Sequence, residues 1–164
     1  MAVTTRQNIT PKEMMNHFSV LTSQFDVALL NAKQDIGRLA VDFFKKSFES
    51  GGFYMSGDKW AKRKHEYNWG VLDKTGALKD SIVYELQEGG GLTVKTDESR
   101  FAPQRGTRES NSYAVFHNDP TGTWKLNQHT DEPQVQRQFI GRSPYLEKQI
   151  LDRLSLIFQN LFHA

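Results

Sequence analysis

Through the first third of the chain, apolar residues recur at steps of three and four: Met14, Phe18, Leu21, Phe25, Leu29, Ala32, Ile36, Leu39 and Phe43. That spacing keeps them on one face of a helix. Thr10-Pro11-Lys12-Glu13 precedes the stripe and carries a start signal: a capping hydroxyl, a proline at the first helical position and a Glu that completes a capping box. Gly51-Gly52 follows and stops it. As one helix the segment would be about 60 Å long. Thr22-Ser23-Gln24 is its weakest part, because short hydroxyl side chains compete for backbone hydrogen bonds. The pattern therefore predicts a short helix, a bend at Thr22, and a long helix to about Ser50. A second stripe, Leu30, Val41, Phe44 and Phe48, flanks the first. A helix apolar on more than one face must bury against two things. These are its own sheet and a loop, or else a neighbouring subunit.

Beyond the helix, Phe53, Tyr54, Trp60, Tyr67 and Trp69 are interleaved with Lys59, Lys62, Arg63 and Lys64. Aromatic rings among basic groups can stack single-stranded nucleic acid. The same composition suits an irregular loop whose rings plug the edge of the core. Thr75-Gly76-Ala77-Leu78-Lys79-Asp80-Ser81 predicts a turn and a short helical turn with Leu78 inward. Ile82, Tyr84 and Leu86 then alternate, Gly89-Gly90-Gly91 turns, and Leu92 and Val94 return, which is a β-hairpin by period and punctuation. Tyr113 to His117 reads as a short strand, and Arg137 to Ile140 as another that ends at Gly141. Ser143-Pro144 opens a last helix with Leu146, Ile150, Leu154, Ile157 and Leu161 on one face.

The expected architecture is α+β, in one domain spanning residues 1–164. A small antiparallel sheet packs against the long N-terminal helix and the amphipathic C-terminal helix. Residues 1–10 form an arm, and residues 97–112 and 118–136 form long polar loops without periodicity. Loops of that length are usually functional or disordered. Arg100, Arg105 and Arg108 in the first, and Trp124 and Lys125 in the second, are the candidates for contact with a protein partner or with DNA. A solvated loop is the plainer alternative.

Composition narrows the chemistry. Twenty-one Lys and Arg against 19 Asp and Glu leave a net charge of +2, so the balance alone does not argue for nucleic acid. Cysteine is absent, which removes disulfides, thiolate metal sites and cysteine nucleophiles. No apolar run approaches the ~20 residues that cross a bilayer, and Met1-Ala-Val-Thr-Thr-Arg-Gln-Asn lacks the pattern of a signal peptide. A soluble chain folded in a cytoplasm, with no membrane contact, is expected. His117 and His129, with Asp119 and Asp131, offer ligand types for zinc but not the close spacing of a His-Glu-x-x-His helix. Gly89-Gly90-Gly91 leads into no helix and so cannot cradle phosphate. Ser56 and Ser81 lack a Gly-x-Ser-x-Gly elbow. No catalytic residue, metal or cofactor is assigned, and an enzyme is not expected.

The remaining signal is an order of motifs. Phe48-Glu-Ser-Gly-Gly-Phe53 and Trp60 are followed by Leu72-x-x-Thr75-Gly76-x-Leu78-x-x-Ser81-Ile82, Tyr113-Ala-x-x-His117 and Arg137-x-Phe139-Ile140-Gly141, then the amphipathic helix. From about Ala40 to the C-terminus this order resembles the phage virion-morphogenesis family, the Mu gpG-like and P2 gpS-like tail-completion proteins. The resemblance implies a structural subunit that forms a homo-oligomeric ring, a hexamer or dodecamer, at the head–tail junction (neck) or tail end. It implies other neck, connector or tail proteins as partners, non-specific contact with channel DNA, and a place in the virion after assembly in the host cytoplasm. A nucleic-acid-binding module built on Trp60–Lys64 and the arginine loop is the alternative.

Overall fold

The computed structural model describes residues 10–62, 66–100, 113–118 and 137–163. Its axis is one helix, α1 (Pro11–Ser50). At its start the Thr10 hydroxyl accepts from the Glu13 N–H, and the Glu13 carboxylate accepts from the Thr10 N–H at 2.8 Å. At its end the Gly51 N–H donates to the Ser47 carbonyl. The division into a short and a long helix expected at Thr22 does not occur, because the helix is continuous through it. The Thr22 hydroxyl donates to the Phe18 carbonyl at 2.9 Å, four residues back. The group expected to compete with the helix is absorbed by it.

Two elements lie against α1 on adjoining faces. The first is the hairpin of β1 (Ile82–Leu86) and β2 (Leu92–Thr96), paired antiparallel with Ile82 opposite Thr96 and Tyr84 opposite Val94. The short helix α2 (Ala77–Asp80) leads into it. Gly37 is where α1 crosses the sheet, and the Tyr84 ring occupies the space a Cβ would need. The second is α4 (Pro144–His163), antiparallel to α1. Tyr145 stacks with Phe43, Arg153 pairs with Asp35 at 3.0 Å, and Phe158 stacks with Phe25. As α4 advances, its partners on α1 recede toward the N-terminus.

The core sits under the last third of α1. Phe43, Phe44 and Phe48 meet Trp60, Leu72, Leu78, Ile82, Ala114, Phe139 and Leu146. Phe48 is its hub, edge-on to Trp60 with ring centres 5.4 Å apart and tilted against Phe139 at 5.3 Å. Burying side chains of this size stabilises by about 1.5–3 kcal/mol each.

Both short strands expected beyond the hairpin are corrected. Tyr113–Asn118 is a helix, α3, whose Ala114 and His117 are buried three residues apart. A five-residue apolar run carries too few positions to separate the two periods. Arg137–Ile140 is irregular. Its backbone donors are taken up elsewhere: the Arg137 N–H by the His117 carbonyl at 2.9 Å, and those of Phe139 and Ile140 by the Asn118 side-chain oxygen at 2.9 and 2.8 Å. One amide thus does the work a neighbouring strand would do.

Candidate assembly surface

The residues of the ordered motifs prove to hold the scaffold. Gly76 adopts φ 74°, a left-handed conformation that glycine takes without strain, and starts α2. Thr75 caps the same turn weakly, accepting from the Ala77 N–H at 3.4 Å. Leu78 is buried, and the wholly buried Ser81 donates its hydroxyl to the Leu78 carbonyl at 2.7 Å. The Ser81 carbonyl in turn accepts from the Asp97 N–H at 2.7 Å, closing the base of the hairpin.

The other motif residues meet at one knot. Trp60 is buried and its indole N–H donates to the Gln138 carbonyl at 2.8 Å. The Arg137 guanidinium donates to the Ala61 carbonyl at 3.3 and 3.4 Å. Phe139 is wholly buried, and the Gln138 side chain fills the space beside Gly141. Burial pushes the His117 imidazole down to about 4 from 6.5, with the Arg137 charge adding to the effect. His117 is therefore a neutral core residue at pH 7.

The proposed contact residues divide. Arg100, in a 3-10 turn at Glu98–Arg100, pairs with Asp97 at 3.2 Å and donates to the Asp80 carbonyl at 2.9 Å. Half of its side chain stays exposed, so it braces the hairpin base and still faces outward. Arg105, Arg108, Trp124 and Lys125 lie outside the described residues, as do His129, Asp119 and Asp131. No group of three His, Asp or Glu that could hold a metal ion occurs among the described residues. No helix among them is long and apolar enough to cross a membrane.

Trp60, named with Lys64 as a stacking surface, is inside the core. In the described part of that segment the exposed rings are Tyr67 and Trp69, stacked with centres 4.7 Å apart, with the Lys74 ammonium 5.2 Å from the Trp69 ring.

Among the described residues, eight of the exposed large apolar side chains lie in the first half of α1. Phe43, Phe44 and Phe48 in its last third are buried, but Met15 and Phe18 in its first third are 73% and 61% exposed. Met14, Val20, Leu21, Phe25, Val27 and Leu30 are exposed as well. The stripe that meets α4 at Phe25 and Phe43 continues past that contact toward the N-terminus, carried on the same helix. No protein-family model, curated protein or solved structure matches this chain.

Periodicity located this stripe, but not that the domain would leave its first half uncovered. One sequence signal does point there. Between Met14 and Phe25 there is no Asp, Glu, Lys or Arg, in a chain of which 24% is charged. A helix that stays in water normally sets charged groups on its outer side.

Proposed function

We propose that this chain is a structural subunit of a phage particle. It forms a homo-oligomeric ring at the head–tail junction or the tail end, as a tail-completion or head–tail joining protein. The observation that carries the reading is the uncovered first half of α1. Monomeric proteins rarely leave contiguous apolar surface of this extent in water, and such patches mark interaction sites. A second support is that the ordered motifs coincide with scaffold positions: Gly76 in its left-handed turn, buried Leu78 and Ser81, and Phe139 wholly buried against Phe48. Motifs of that kind identify a framework, and the assembly surface is what the framework presents. Other neck, connector or tail proteins complete the partner set, with DNA in the channel facing residues such as Arg100.

Negative-stain images of the purified protein, alone and mixed with tail tubes, test the proposal. Annular particles, or density capping tube ends, are expected. Separate small particles that leave the tubes bare would sink it.

One observation favours a nucleic-acid-binding module as a second reading. The exposed Tyr67–Trp69 stack beside Lys74 has the composition of a base-stacking platform. Titration of single-stranded DNA at two salt concentrations decides it. A fall in affinity of at least about tenfold between 50 and 200 mM salt would support that reading, and no measurable binding would dismiss it.

A further inference from the structure

Building on the ring reading, we infer that the hairpin joins copies of this chain head to tail, the outer edge of β2 in one copy pairing antiparallel with the outer edge of β1 in the next. The bonds at the two ends of the hairpin fix which groups face outward. The Asp97 N–H donates to the Ser81 carbonyl at 2.7 Å, and the Gln87 N–H to the Gly91 carbonyl at 2.9 Å. Antiparallel ladder bonds fall on alternate residue pairs, so in this register Val83 bonds with Lys95 and Glu85 with Thr93. The N–H and C=O groups of Tyr84 and Leu86 then point away from β2, and those of Leu92, Val94 and Thr96 away from β1. Among the described residues the sheet has only these two strands, and no backbone group takes up the outward ones. Ile82 shares the outward direction but is 1% exposed, closed off at the base of the hairpin. The other five are partly exposed.

A row of open backbone groups is matched by one chemistry, an extended peptide. Two observations make that peptide a second copy. The first is that both edges are open and neither is guarded. Folded proteins keep an open edge from pairing with a proline, a bulge or a charge turned inward. Neither strand contains proline, and the register runs unbroken through five pairs. The face that lays Tyr84 on Gly37 carries no charged residue. A different protein adding one strand covers one edge and leaves the other open. Copies in a closed ring cover both, as a barrel does. The second observation is charge. On the face away from α1, β1 carries Glu85 and β2 carries Lys95, which pair within the hairpin. Head-to-tail pairing sets Lys95 of one copy beside Glu85 of the next. Pairing of like edges about a two-fold axis would set Glu85 near Glu85 or Lys95 near Lys95, which is unfavourable across strands. The backbone ladder attaches the copies, and the charges give the attachment its direction.

The experiment uses the full chain, which has no cysteine of its own, in three single-cysteine forms: Glu85→Cys on β1, and Thr93→Cys or Lys95→Cys on β2. All three positions are exposed, so circular dichroism and melting curves matching the wild type are expected. The β1 form is co-expressed with each β2 form, and every form is also made alone. Each preparation is oxidised with copper phenanthroline and run on a denaturing gel, with molar mass read by light scattering beside it. Each chain holds one thiol, so every disulfide joins two chains. A disulfide needs Cα atoms within about 7 Å, which adjacent strands meet and strands one further apart, at about 10 Å, do not. Linked dimers are expected in at least one co-expressed pair, at about tenfold or more the yield of any form alone, because a paired seam holds the thiols at millimolar effective concentration. Links in a single form alone would mean that like edges meet, and would overturn the head-to-tail seam. Ring-sized particles without links in either pair would overturn the seam and leave the ring reading standing. A monomeric wild type overturns the seam, and if it also leaves tail tubes bare, the ring reading falls with it.

Discussion

Asn118 and His117 are neighbours with opposite demands. The Asn118 side-chain oxygen accepts two backbone N–H groups, from Phe139 and Ile140, and so holds an irregular segment against the core. Asn118→Ala leaves both donors without that acceptor and should destabilise the fold by on the order of 2 kcal/mol. Asn118→Asp keeps an acceptor oxygen there and should lose much less, with urea unfolding as the measure. His117 is buried and neutral, its affinity for a proton lowered to about 4 against 6.5 for a free imidazole. Above 6.5 both folded and unfolded chains leave it neutral. Between 6.5 and 4 only the unfolded chain takes up the proton, so stability falls as pH falls, and the loss is complete below 4. Unfolding free energy should be about 2 kcal/mol lower at pH 5 than at pH 7. Substituting His117→Gln should flatten that dependence, whatever it does to the absolute stability.

At the scale of elements, α1 is one helix with two regimes. Its last third is locked among Phe43, Phe44 and Phe48, while its first third stands on its capping box and its backbone hydrogen bonds. Few buried contacts mean low local stability. Amides from Met14 to Gln24 should therefore exchange with solvent well before those from Ala40 to Phe48, and should become protected on assembly. Gly37 tests the other regime: Gly37→Val drives a branched side chain into the Tyr84 ring and should cost about 1–3 kcal/mol in thermal or urea unfolding. The two long helices and the hairpin were legible in the sequence because their periods run over enough residues to be unambiguous. The continuity of the helix through Thr22 was not, since whether a hydroxyl opposes a helix or joins it depends on a rotamer. Tyr113–Asn118 was misread because a short apolar run fits either period. The Asn118 clamp left no pattern at all, as its partners lie 21 and 22 residues away. For the candidate surface, residue types were visible and their exposure was not, because exposure depends on where α4 stops covering α1.

The whole molecule determines how such an assembly should respond to its solvent. With 21 basic and 19 acidic residues each copy carries +2, so copies gathered into a ring repel one another only weakly. The exposed stretch of α1 from Met14 to Phe25 has no Asp, Glu, Lys or Arg, and His17 is its one ionisable side chain, so an assembly through it would hold few salt bridges to be screened. Association is then driven by apolar burial, which salt screening does not weaken. Sedimentation velocity should show the same oligomer at 50 and at 500 mM sodium chloride, although the screening length contracts from about 14 Å to about 4 Å over that range. Ammonium sulfate should shift the equilibrium further toward the ring, because excluded salts strengthen effective burial. Cooling should loosen it, because the apolar driving force weakens at low temperature. Calorimetry of assembly should accordingly give a negative heat-capacity change. The competing nucleic-acid interaction has the opposite signature, since displacing counterions from phosphate makes it strongest at low salt. A complex that comes apart as salt rises would therefore point away from the exposed face of α1 and toward Lys74 beside the Tyr67–Trp69 stack.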